Sequence, residues 1–187
     1  MLPDIVLASG SPRRKQLMEL AELPFRVLVS DADETNPPGM PGELVPEFLA
    51  KKKADAVHEL TPNALIIAAD TIVLLDHHIL GKPKDEADAI QILSQLSGRM
   101  HQVVTGVCIL KGSRQYSFST TTQVFFRNLS QEQIVHYVSN YKPYDKAGAY
   151  AIQEWIGIIG IEKIVGDYYN VMGLPIGELL LNLQQFL

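Results

Sequence analysis

An α/β fold is what the sequence predicts, and three observations predict it. Short β-branched apolar runs alternate with segments of helical period along the whole chain. One run, "ALIIAADTIVLL" at 64–75, is apolar almost without a break, the pattern of a strand buried on both faces. At 187 residues, with 47% hydrophobic content and a mean hydropathy of +0.06, the chain can bury a proper core by itself. No internal repeat, linker or low-complexity stretch divides it, so residues 1–187 read as a single domain.

The elements follow in order. "DIVLAS" (4–9) is a strand that ends at Gly10, and Leu17, Leu20 and Ala21 then recur at helical spacing. Ser11 suits the N-cap of that helix, and Pro12 suits its first position, where a missing N–H costs nothing. "FRVLVS" (25–30) predicts a second strand, followed by the Pro/Gly-rich loop "DADETNPPGMPG", long enough to act as a lid or ligand loop. Val45, Leu49, Ala56 and Val57 mark a helix from about Pro46 to His58, with Lys53 inside its apolar stripe. After the run at 64–75, "DHH" turns the chain towards "ILGKPKD", and Asp85 to Leu96 forms a helix that Gly98 stops. Two strands bracket Gly112-Ser113 as a hairpin, expected at a sheet edge. Ser130 and Gln133 form a capping box for a helix to about Ser139. "NYKPYDKAGAYAIQ" lacks periodicity, "WIGIIGIEKIVGDYYNVMGL" reads as apolar strands interrupted by glycines, and Pro175 restarts a last helix to about Gln185.

Composition narrows the function. A net charge of −5, with no like-charge block beyond the "KKK" at 51–53, argues against a nucleic-acid footprint. No apolar run approaches the length that spans a bilayer and no signal peptide is visible, so a protein of the cytoplasm acting without a membrane is expected. The single cysteine, Cys108, lies in "VVTGVCIL" and reads as a buried inert thiol. His77, His78 and His101 lack zinc-site spacing.

Six charged residues stand out. Arg13 and Arg14 follow a Ser-Gly-Ser-Pro turn at a helix start, an end that already attracts anions. Two cations there suit a multiply charged ligand such as polyphosphate; two solvated arginines are the alternative. No Walker A loop is present. Asp70 interrupts the buried run and needs a metal or cation partner, unless the strand ends at Ala69 and Asp70 caps a turn. Glu34, in a loop that otherwise reads as solvated, is a candidate second oxygen ligand for Mg²⁺ or Mn²⁺. Lys53 either snorkels or reaches into a cleft, and Lys82 in "GKP" is either a site lysine or an ordinary turn lysine.

"ASGSPRR", the "DE" of the following loop, "LAKKKA", "AADT", "KP", "LSGRMHQVVTGV" and "DKAGAYAIQ" occur in the order and spacing of the Maf family of nucleotide pyrophosphatases. The chain resembles that family over nearly its whole length, and "DKAGAYAIQ" is similar to the dTTP/UTP pyrophosphatase subgroup. The resemblance implies an elongated, mixed, twisted sheet with flanking helices and a cleft between two lobes, as in Maf and ITPase-like folds. It implies hydrolysis of dTTP and UTP to the nucleoside monophosphate and pyrophosphate with a divalent cation, Mg²⁺ or Mn²⁺. By position, Asp70 becomes the proton acceptor or a metal-associated carboxylate beside Glu34. Ser9, Arg14, Lys53 and Lys82 line the phosphate region, while Arg13, Thr71 and Gln153 shape substrate choice. A nucleoside triphosphate is the partner implied, and a homodimer is left open. Two alternatives stand: a pyrophosphatase for a modified nucleotide such as 7-methyl-GTP, and a regulatory binding protein of cell division. The chain departs from the family pattern at Gly81, where many members are acidic, and at Trp155, where smaller residues are common.

Overall fold

Every backbone N–H and C=O that leaves water needs a partner, and this chain supplies most of them through one mixed sheet flanked by helices. The computed structural model describes residues 3–29 and 31–187. The elements are β1 (Ile5–Leu7), α1 (Pro12–Leu20), β2 (Arg26–Val27), α2 (Val45–Leu60), β3 (Leu65–Leu75), β4 (His78–Leu80), α3 (Glu86–Leu96), β5 (Met100–Lys111), β6 (Arg114–Phe126), α4 (Gln131–Tyr141), α5 (Trp155–Gly160), β7 (Ile161–Val165), α6 (Tyr168–Met172) and α7 (Ile176–Leu183). Short 3-10 turns occupy Gly42–Leu44 and Ala147–Ala149. The seven strands described lie in the order β2-β1-β3-β5-β6-β7, with β4 on β3. Pairing of β1 with β2 and β3 is parallel, whereas β3 with β4 and β6 with β7 are antiparallel.

The chain divides into two compact units. The first comprises the chain up to Thr71 with Thr105–Thr120 and Gly173–Leu187, and the second comprises Ile72–Val104 with Thr121–Met172. In the first, Ala50, Ala54 and Val57 on one face of α2 pack on Ile66 and Ala68 of β3 and on Cys108 and Leu110 of β5. Small side chains let α2 lie close to the sheet. Gly106 makes the closest approach: a Cβ there would stand 2.1 Å from the backbone nitrogen of Glu47, so only glycine admits the first turn of α2. Cys108 is fully buried and burial raises its pKa to about 12, as an inert core thiol requires. In the second unit, Ile72 and Leu74 of β3 pack with Val104 of β5.

Local chemistry explains three of the boundaries. Asp85 caps α3 by accepting the Asp88 N–H at 2.9 Å, and both halves of the Ser130–Gln133 capping box close the start of α4. Asp76 and His77 take positive φ values of 48° and 67°, the two-residue hairpin turn that joins β3 to β4.

Three expectations are corrected. The second strand shrinks to Arg26–Val27, because β1 offers only Val6 and Leu7 for pairing there; Ser30 lies outside the described residues. The β5–β6 hairpin is not a free edge along its second half, since β7 pairs with residues 123–126 of β6. "WIGIIG" is the helix α5 rather than a strand. Ile156 and Gly160 are buried four residues apart with Ile158 exposed, and apolar runs this short carry no clear period in sequence.

Candidate active site

A carboxylate in the middle of a buried strand must find a cation. Asp70 is in that position: β3 continues through it, with Leu65–Ala69 buried before it and Ile72–Leu75 after it, which removes the reading of Asp70 as a turn cap. Its partner is Lys53. The periodicity of α2 that buries Ala50, Ala54 and Val57 also turns Lys53 towards β3, and Lys53 Nζ stands 2.6 Å from Asp70 Oδ1. Both side chains are largely shielded, at 16% and 14% exposure, so this pair is screened far less than a surface pair. Glu34 Oε1 lies 3.1 Å from the same ammonium, from the solvent side. The loop that carries Glu34 is tied to α2 as well: Asp33 accepts from Lys52 Nζ at 2.9 Å and from the Thr35 hydroxyl at 2.6 Å. Hydrogen bonds from Thr35 and then Lys52 hold the Asp33 carboxyl well below its usual range.

The two adjacent arginines have different surroundings. Arg14 is 9% exposed and points into the protein. Its Nε donates to the Gly173 carbonyl at 2.8 Å, Nη1 to Ser9 Oγ at 3.0 Å and to the Ala69 carbonyl at 2.8 Å, and Nη2 to Thr71 Oγ1 at 2.9 Å. Four of the five guanidinium donors are thus spent on protein acceptors. The expectation that both arginines face a ligand is modified accordingly. Arg14 braces β3 on either side of Asp70, at Ala69 and at Thr71, which fixes the carboxylate's backbone. Burial pulls the Arg14 pKa down, Asp70 opposes that, Arg13 adds to it and Glu34 opposes it again, and a guanidinium keeps its charge under such shifts. Arg13 sits half-buried on the first turn of α1, a helix with no acidic residue in that turn and no side-chain cap from Ser11. Ser9 Oγ instead accepts the Ser11 N–H at 3.3 Å. Thr71 Oγ1 is further held by Thr105 Oγ1 at 2.9 Å.

Among the predicted site residues, the first unit brings Ser9, Arg13, Arg14, Glu34, Lys53, Asp70 and Thr71 onto α1, α2, β3 and the loops beside them. Lys82 and Gln153 belong to the second unit. Lys82 is exposed after β4, beside Gly81, whose carbonyl accepts the Gly148 N–H at 3.1 Å. Gln153 is exposed at a turn before α5. Trp155 lies with its ring 4.8 Å from that of His136 on α4. Gly173 and Thr105 were not legible as site residues. Gly173 takes φ +120°, and a Cβ on it would meet Thr71 and Arg14, but in sequence it is one glycine among thirteen.

A divalent cation can be tested against this donor set. Among the described residues no group of three His, Cys, Asp or Glu side chains is placed to hold a metal ion. Glu34 and Asp70 bring two carboxylates to one ammonium, hard oxygen donors of the type that Mg²⁺ and Mn²⁺ take.

Comparison with known proteins fixes the family. Residues 4–186 match the family described as Maf-like protein. The chain belongs to that family. A Cytophaga hutchinsonii protein named dTTP/UTP pyrophosphatase is 49% identical over 97% of this chain and 84% of its own length. A Bacteroides thetaiotaomicron protein of the same name is 48% identical over 94% of this chain and 92% of its own. The Maf-like fold extends to a solved HAM1 protein from Coxiella burnetii, which aligns with a TM-score of 0.51 over 98% of this chain and all of that one, at 14% identity. No helix among the described residues is long and apolar enough to cross a membrane.

Proposed function

We propose that this Maf-like protein hydrolyses dTTP and UTP between the α and β phosphates, releasing the nucleoside monophosphate and pyrophosphate. The observation that carries the reading is the shielded Asp70 carboxylate, held by Lys53 and braced through Arg14, in a chain that shares 48–49% identity with proteins named for this activity. A water oxygen attacks the α phosphorus and the bond to the bridging oxygen breaks, with its electron pair leaving on pyrophosphate. Asp70 takes the proton of that water on Oδ2, the oxygen not engaged by Lys53. Lys53, Arg13 and Lys82 offset charge on the phosphates and the leaving group. Ser9 and Arg14 hold the loop and strand that carry these groups. When bound, Mg²⁺ or Mn²⁺ at Glu34 and Asp70 neutralises phosphate charge and acidifies water.

Base choice is assigned to Gln153 with Thr71 and Arg13. A glutamine amide offers a donor and an acceptor, matching the adjacent O4 and N3–H of uracil and thymine. Free nucleotides as substrates go with an enzyme of the cytoplasm that needs neither membrane nor nucleic acid. The test is a panel of dTTP, UTP, CTP, ATP, GTP and 7-methyl-GTP with Mg²⁺ or Mn²⁺. Monophosphate and pyrophosphate are expected, fastest from dTTP and UTP. Release of inorganic phosphate with a diphosphate product, or binding without turnover, sinks the reading, and the second outcome favours a regulatory binding protein.

A further inference from the structure

A side chain that reads a base must be held in place, because an amide that swings by an ångström loses its discrimination. Gln153 sits in a four-residue turn. The Glu154 N–H donates to the Ala151 carbonyl at 3.1 Å, which makes Ile152 and Gln153 the two central residues. Ile152 is buried at 7% exposure and Gln153 is exposed, so the turn sends one side chain into the core and the other outward. The next helix presses on this turn: a Cβ on Gly157 would stand 1.8 Å from the Ile152 carbonyl oxygen.

One buried phenol oxygen meets both ends of the turn. Tyr137, fully buried on α4, accepts the Ala151 N–H at 3.2 Å and donates its own proton to the Glu154 carboxylate. The other Glu154 oxygen faces Lys146 Nζ at 3.5 Å, a lysine only 10% exposed that is also 2.8 Å from Asp145. Burial and the Glu154 charge both raise the Tyr137 pKa, so the phenol keeps the proton that makes the bond. The Tyr137 ring is stacked on Tyr141 at 4.9 Å, and α4 is anchored by its capping box. Nothing in the phosphate chemistry uses this arrangement, and it surrounds the one segment that presents Gln153.

We propose that Tyr137 is a positioning residue for nucleobase choice: its hydroxyl, shared between Ala151 and Glu154, locks the turn that aims Gln153. The inference rests on the reading of Gln153 as the base-recognising residue. The ion pair of Glu154 with Lys146 holds the carboxylate that receives the hydroxyl, which gives the "DK" of "DKAGAYAIQ" a task in selectivity.

The experiment compares kcat/KM for UTP and CTP in the full chain. Gln153→Ala is expected to lower the UTP/CTP ratio roughly tenfold, the size of one lost hydrogen bond of about 1.4 kcal/mol. Tyr137→Phe, which removes only the oxygen, is expected to lower the ratio severalfold, with the loss in KM for UTP rather than in kcat. The double variant should show no further loss beyond Gln153→Ala, because both changes remove the same aimed amide. Glu154→Gln, which keeps an acceptor for the hydroxyl, should retain most of the selectivity, and Glu154→Leu should lose it. A tyrosine that merely supports the fold would lower both substrates together and leave the ratio alone. If Gln153→Ala shifts the ratio while neither Tyr137→Phe nor Glu154→Leu does, the positioning role is overturned and the reading of Gln153 stands. If Gln153→Ala itself leaves the ratio unchanged, Gln153 does not read the base and the inference falls with it. Should Tyr137→Phe fold poorly, the Glu154 pair carries the same test.

Discussion

The Arg14 brace and the Tyr137 pin do similar work at opposite ranges of the sequence. Arg14 reaches acceptors 55, 57 and 159 residues away, using a permanent charge to gather Ala69, Thr71 and Gly173. Tyr137 reaches partners only 14 and 17 residues away, using a neutral hydroxyl. Backbone carbonyls drawn from distant segments need several strong donors in fixed directions, and a buried guanidinium supplies them. A turn already closed by its own backbone needs one more pin. Asp70 and the strand that carries it therefore depend on distant segments of the first unit being folded together, whereas the turn that presents Gln153 depends on its neighbourhood.

Four changes break or sharpen this contrast, in falling order of expected effect. Asp70→Asn keeps the shape of β3 but removes the charge that Lys53 meets, and pyrophosphate release from UTP should drop at least about a hundredfold while the protein still folds, as circular dichroism would check. More than a tenth of wild-type activity would remove Asp70 from the chemistry. Arg14→Met strips the donor from two backbone carbonyls and two hydroxyls, and urea unfolding should show a loss of about 3 kcal/mol. A loss below about 1 kcal/mol would mean that water replaces the brace, and the long-range half of the comparison would fail.

The third change is a pH effect in the second unit. His101 is 1% exposed, with Nε2 at 2.7 Å from the Tyr150 hydroxyl and no partner for Nδ1 among the described residues. Burial lowers its pKa from 6.5 to about 3. The unfolded chain then takes up a proton before the folded one does, so stability is full above pH 6.5 and drains away as the pH falls towards 3. Between pH 6.5 and 5 this amounts to about 2 kcal/mol, and His101→Gln should lack that share of the slope in urea titrations. Equal slopes in both proteins would show that His101 does not govern acid sensitivity. The smallest effect is expected of Ser130→Ala, which opens the capping box of α4 and should cost about 1 kcal/mol. Because α4 carries Tyr137, the same variant should also loosen the UTP preference slightly, and a selectivity loss larger than that of Tyr137→Phe would place the control in the helix rather than the hydroxyl.

Two helix starts were readable because capping is decided within four residues: Ser130 with Gln133 and Pro12 in α1 stand where the sequence puts them, whereas Asp85, expected as the first helical residue, is the cap of α3, and Ser11 lends α1 no side-chain cap. "WIGIIG" is a helix where a strand is expected because four apolar residues and two glycines fit either, and Gly157 lets α5 press on Ile152. Asp70 was legible as an anomaly, since a charge within a buried run violates the pattern around it. Lys53 as its partner was only half legible: the helical stripe placed it on the buried face but could not say which strand that face would meet.

What the sequence determined by itself is therefore the set of local commitments, which include the elements, their caps and the residues whose chemistry clashes with their surroundings. These depend on near neighbours and on side-chain type. Only the tertiary structure decided that Arg14 serves the strand while Arg13 stays at the helix start, though the two are adjacent and identical in chemistry. A helix turns 100° per residue, so neighbours in sequence face different surroundings, and which surroundings those are depends on strands that arrive from far along the chain. The same holds for Gly173 and Tyr137, whose roles come from the atoms packed against them.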